Sequence, residues 1–154
     1  MINNNQVLHF KFDTAQHLAN AGLINGIYTG KSGSGYGDHA ILSENVPKSK
    51  ISNSGWSIVD DILQDHPAHP NNITYGYSHS YPFIFGGQTA SHETNAPILT
   101  PEEAWNIDVK IDDGIAVTGN IVSHMDVTDC ITSAAPYNYK LNHSGIACPL
   151  IFRK

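Results

Sequence analysis

Between Val7 and Ala21 the chain reads VLHFKFDTAQHLANA, with Leu8, Phe12, Ala15 and Leu18 recurring at helical spacing and Lys11, Gln16 and Asn20 falling elsewhere. Gly22 follows as a C-terminal cap, and Leu23 and Ile24 are placed to fold back on the last turn, so one amphipathic helix is predicted. Residues 25–54 are crowded with Gly, Ser, Tyr and Asn and hold neither period for long, which predicts an extended connecting loop. GWSIVDD (55–61), NITYGYS (72–78) and PFIFGGQ (82–88) are β-branched and aromatic runs bounded by Pro, Asn and Gly, and predict antiparallel strands. A second helix is predicted over 100–113: Thr100 is the N-cap, Pro101 takes the first helical position and Glu103 completes a capping box. Ala104, Ile107, Lys110 and Ile111 continue it until Gly114 stops it. NIVSH, YNYKLN and ACPLIFR supply the last short strand candidates. The elements add up to an α+β domain, a long N-terminal amphipathic helix packed on a small antiparallel sheet with an extended loop region and one short internal helix.

Length and charge narrow the function classes. A chain of 154 residues with 40% hydrophobic residues fits one domain, 1–154, with a packed core. A formal net charge of -6 and only 8 Lys+Arg leave no basic run to neutralise phosphates, which argues against a nucleic-acid partner. Only 14% of residues are charged while Asn, Ser, Thr, Gly and His abound, a surface more usual outside the cytosol. No apolar run approaches the roughly 20 residues that span a bilayer. The polar Asn3-Asn4-Asn5-Gln6 after Met1 reads as a point where a longer protein was cut. Cys130 and Cys148 bracket a short turn-rich loop. As an even pair they favour a disulfide, which would restrict the unfolded chain by roughly 3 kcal/mol; in a reducing compartment they would be two small hydrophobes.

Three groups of residues invite chemistry. In DVKIDDG, Asp108, Asp112 and Asp113 offer oxygens to a calcium ion, though the spacing is not that of an EF-hand loop; the alternative is that the pair ends a helix and shapes a turn. In DHPAHP, Asp65, His66 and His69 could ligate zinc in a hydrolase, but the prolines impose extended backbone and no HExxH or CxxC partner accompanies them, so a surface turn competes. Tyr75, Tyr77, Tyr81 and Phe83 could stack on sugar rings as a carbohydrate- or surface-binding module, or form one packed face of a strand. No nucleophile elbow or phosphate-binding glycine loop is present, so catalytic residues and an organic cofactor are not expected.

QHLANAGLINGIYTG, VPKSKISNSGW, LTPEEAWNIDVKIDDGIAVTGNI and a terminal cysteine pair before a last strand together resemble the head domain of type IV pilin-like proteins, including the pseudopilins of type II secretion. The resemblance implies a long N-terminal helix of which residues 1–24 are the C-terminal half, with a missing hydrophobic half that anchors the subunit in the inner membrane before assembly. It implies 25–54 as the connecting loop, and 55–154 as sheet, internal helix and disulfide-bounded C-terminal loop. The function implied is that of a structural, non-catalytic subunit of an extracytoplasmic pilus or pseudopilus. Its partners would be other copies of the subunit and an assembly machinery, and its contact with membrane would come through the absent helix alone. Some pseudopilins replace the disulfide by calcium, which keeps Asp108, Asp112 and Asp113 in view.

Overall fold

Short β-branched and aromatic runs build the centre of the fold. In the computed structural model, residues 4–33, 39–58, 81–124, 129–134 and 136–153 are described, with side chains of the first helix from Phe12 onward. Helix α1 spans Asn4–Asn20, strand β1 Ser54–Ile58, β2 Phe83–Gly87, helix α2 Pro101–Ile111, β3 Ile121–Ser123 and β4 Leu150–Phe152. The strands form one antiparallel sheet in the order β1-β2-β4-β3. The last strand of the chain therefore inserts between β2 and β3, and its side chains Leu150 and Ile151 are fully buried.

Register fixes what each face carries. Trp56 lies opposite Phe85, and Phe83 opposite Phe152. Trp56 stacks on Phe85 with ring centroids 4.4 Å apart and tilts against Phe152 at 5.2 Å, a cross-strand cluster that ties three strands together. The core continues through Ile84, Val122, Leu99, Ala104, Ile131 and Tyr139. Beside Trp56, Ile58 and Phe83 a small open apolar groove lies between the sheet and Ala15 and Leu18 of α1.

The long N-terminal helix packed on the sheet is overturned. Among the described residues there are two short helices and a four-stranded antiparallel sheet, and α1 touches the sheet at β1 only over a short stretch. The reason lies in its surface and its end. From Phe12 on, only Phe12 and Ala15 are buried, while His17 and Asn20 are exposed, so the apolar stripe is too short to bind a long helix to a sheet. Gly22 at φ 72 then closes a Schellman cap, its N–H donating to Ala19 O at 2.9 Å and that of Leu23 to Leu18 O at 2.9 Å. Leu23 stays 71% exposed instead of folding back. Among the described residues no helix is long and apolar enough to cross a membrane.

The connecting loop is irregular but pinned. Asn45, fully buried, accepts from the Ile41 N–H at 2.7 Å and donates to Lys31 O and His39 O, both at 2.9 Å. Further on, the Trp56 N–H donates to Pro47 O at 3.0 Å and the Ser49 N–H to Ser54 O at 2.8 Å, so this loop covers the outer edge of β1. On β2 the chain segment at Thr94–Ala96 crosses close over Gly86. A Cβ there would overlap the Thr94 carbonyl oxygen and lie 3.0 Å from that of Ala96. Because both obstacles are backbone, Gly86→Ala is expected to cost about 2 kcal/mol, read as a lowered urea midpoint with an unchanged slope; an unchanged midpoint would show that the segment moves aside freely.

Candidate functional site

The acidic residues singled out from the sequence meet at the end of α2. Thr100 caps the helix as expected, accepting from the Glu103 N–H at 3.2 Å while the Glu103 carboxylate accepts from the Thr100 N–H at 2.8 Å. The helix ends at Ile111, two residues before the predicted end, with Asp112 as its C-cap donating its N–H to Asp108 O at 2.7 Å. One ligand atom from each of Asp108, Asp112 and Asp113 falls within a 4.8 Å cluster. Asp108 is buried, Asp112 half-buried and Asp113 exposed.

Each carboxylate already receives donors from the protein. Asp108 Oδ1 accepts from the Gly114 N–H at 3.0 Å and Oδ2 from the Tyr139 hydroxyl at 2.9 Å. Asp113 Oδ1 accepts from the Ile115 N–H at 2.8 Å, closing an Asx turn, and Oδ2 from the Thr118 hydroxyl at 2.6 Å. Asp112 Oδ2 accepts from the N–H groups of Asn120 and, at 2.8 Å, Ile121, while Oδ1 accepts from the Asn120 side-chain amide at 3.3 Å. The turn doubles back over Asp112 at Gly119, whose φ of 72 favours glycine and where a Cβ would overlap the Asp112 carboxylate. Arg153 closes the turn from β4, its Nε donating to Gly119 O at 2.6 Å. No family model, curated protein or solved structure matches the chain.

The three carboxylates thus lie at a metal-sized spacing, with backbone and hydroxyl donors aimed at their oxygens. What the arrangement does chemically is hold a ten-residue return, 112–121, between α2 and β3. The disulfide between Cys130 and Cys148 lies beside β3, both residues fully buried and Cys130 Sγ accepting from the Ser123 hydroxyl at 3.0 Å. Asp65, His66, His69, Tyr75 and Tyr77 lie outside the described residues. Tyr81 and Phe83 are within them, 57% and 45% exposed. Among the described residues no histidine joins the aspartates in a cluster of metal-binding size. Sequence reasoning missed Tyr139 and Arg153, which have no local signal because their partners stand 31 and 34 residues away.

Environment pushes two of the carboxylates in opposite directions. Burial raises Asp108 above the usual carboxylate range; the Gly114 and Tyr139 donors pull it down, and the charges of Asp113 and Asp112 push it further up. For Asp112 burial also pushes up, but the donors of Ile121 and Asn120 outweigh it and the carboxyl is held low. A lowered folded value stabilises above the unfolded pKa of about 3.9 and is lost as pH falls through the folded value. A raised one acts the other way: its contribution is fullest below about 3.9 and declines as pH rises through the folded value. The destabilisation by Asp112→Asn is therefore expected to be largest near about pH 7 and to shrink toward about pH 3. Asp108→Asn should instead gain on the wild type as pH rises over the same span. Urea unfolding across that range checks both; parallel curves would contradict the assignment.

Proposed function

We propose that this chain is the head of a structural subunit of an extracytoplasmic filament of the pilus or pseudopilus kind, working by shape and self-association without catalysis of its own. The observation that carries this reading is how the segments bearing the resemblance meet. The acidic return after α2, the buried disulfide and the last strand form one continuous unit, joined by Tyr139 to Asp108 and by Leu99 to Cys148 through backbone bonds of 3.1 and 2.9 Å. Its polar groups are spent on holding that unit together. Among its exposed residues are large apolar ones: Ile111 at 65%, Leu141 at 51% and Ile146 at 66% exposure, with Ile27 at 92% on the loop after α1. Large apolar side chains on pinned loops suit packing against neighbouring subunits. An oxidising location is consistent with the disulfide.

Immunogold labelling of the source cells with antibody to this domain tests the reading. Gold aligned along surface filaments, and lost on deletion of the gene, is the expected result. Label confined to the cell interior would overturn it.

A further inference from the structure

The loop after α1 bends at Asn25 and Gly26, both exposed. Gly26 has a φ of 124, which residues with a side chain rarely adopt, and a Cβ there would lie 2.7 Å from the Tyr28 hydroxyl oxygen, so the bend needs glycine at this place. Tyr28 is itself buried, and its hydroxyl donates to the Asn25 carbonyl oxygen at 2.9 Å. That oxygen and the Gly26 N–H belong to one peptide unit. Among the described residues neither that N–H nor the Asn25 side-chain amide has a hydrogen-bond partner. Other asparagines are followed by amides that the fold holds. After Asn95 the Ala96 N–H donates to Gly87 O at 3.1 Å, after Asn120 that of Ile121 to Asp112 Oδ2 at 2.8 Å, and after Asn142 that of His143 to Lys140 O at 2.8 Å.

We propose that Asn25 and Gly26 form a self-modification site, at which the asparagine converts to aspartate and isoaspartate with the help of the Tyr28 hydroxyl. The Gly26 nitrogen attacks Asn25 Cγ and a carbon–nitrogen bond forms, closing a succinimide ring. The side-chain nitrogen leaves as ammonia, which takes up the proton lost by the Gly26 nitrogen. Water then opens the ring at either carbonyl. Glycine puts no side chain in the path of attack. The attacking nitrogen must give up its proton, and the negative charge that results spreads onto the Asn25 carbonyl oxygen, where the Tyr28 hydroxyl already stands to stabilise it. The place of the product gives it an effect. A new carboxylate appears between Leu23 and Ile27, 71% and 92% exposed, so an apolar loop surface gains a negative charge. In the isoaspartate the old main-chain carbonyl becomes a side-chain carboxylate and the chain is longer by one methylene, so Tyr28 no longer pins the backbone. This inference rests on the chemistry of the loop alone and stands apart from the filament reading.

The test uses the purified chain, wild type and Tyr28→Phe, with the disulfide intact and native packing checked by the near-ultraviolet signal of its tryptophans. Both are incubated in mildly alkaline buffer at body temperature, and peptide mapping by mass follows each asparagine. The peptide holding Asn25 is expected to convert at least about tenfold faster than those holding Asn120 and Asn142, whose following amides must first open. It should split into two products of equal mass, one of them a substrate for an isoaspartate-directed methyltransferase. Tyr28→Phe should slow the conversion by about threefold or more, the loss of one hydrogen bond to the developing charge. Conversion no faster at Asn25 than at the other two, or a single aspartate product, overturns the site. A folded Tyr28→Phe that reacts as fast as the wild type, or faster, overturns the part given to the hydroxyl. If Tyr28→Phe does not fold, the wild type unfolded in urea is read in its place. Without the fixed hydroxyl it should convert Asn25 more slowly than the folded chain, and an equal or faster rate counts against the hydroxyl in the same way.

Discussion

The double variant Cys130→Ala/Cys148→Ala is expected to be less stable than the wild type by about 3 kcal/mol, a fall in melting temperature of roughly 10 °C for a domain of this size. The crosslink joins residues 18 apart in sequence, which restricts the unfolded chain. Its position adds to that. Cys148 exchanges backbone hydrogen bonds with Leu99, next to the cap of α2, and Cys130 O accepts from the Lys140 N–H at 2.9 Å. The disulfide therefore fastens the stretch before α2, the turn around Lys140 and the entry to β4 at one point, and its sulfurs are fully buried among core residues. Thermal unfolding with and without reductant reads the effect. A change of less than about 2 °C would mean that the packing of Leu99 and Ile131 holds these segments without the bond.

Asp108→Leu is expected to cost about 3 kcal/mol, as much as the disulfide, although it replaces a buried acid by an apolar residue. The carboxylate is fully buried and is the acceptor for the Gly114 N–H and the Tyr139 hydroxyl. Leucine accepts neither, and a buried donor deprived of its acceptor costs about 1–3 kcal/mol. Asp108→Asn keeps an acceptor of nearly the same shape and should cost about 1 kcal/mol. A cycle with Tyr139→Phe isolates the hydroxyl bond, with a coupling of about 1.5–3 kcal/mol expected for a bond to a charged group. Equal losses for leucine and asparagine, or zero coupling, would show that Asp108 matters by its volume alone.

Local signals in the sequence led to local structure. The Thr100-Pro101-Glu102-Glu103 cap and the stop at Gly22 rest on bonds within a few residues, which spacing reveals. The aspartates after α2 were recognisable as turn-formers for the same reason. Their partners were not. Asp112 meets β3 because the return folds back at Gly119, and whether it meets an inward or an outward N–H depends on strand parity, which one segment of sequence does not contain. Tyr139 reaches Asp108 across 31 residues. Asn45, an ordinary loop asparagine by composition, proves to be the buried pin of the connecting loop. The long first helix was read from the apolar spacing of residues 7–21 as well as from the resemblance, and the exposure of His17, Asn20 and Leu23 sets its limit, since a helix extends along a sheet only as far as its apolar face does.

At the centre of this account, Asp108, Asp112 and Asp113 serve the fold as hydrogen-bond acceptors. Each receives N–H or O–H groups whose positive ends point at the oxygens a cation would need. Thermal unfolding of the purified protein in a few millimolar calcium and in chelator tests this most directly. The account predicts midpoints that agree within about 1 °C, because a ligand bound only by the folded state would raise stability by RT ln(1 + [L]/Kd). A rise of several degrees in calcium that disappears in Asp113→Asn would contradict it and make the cluster a metal site.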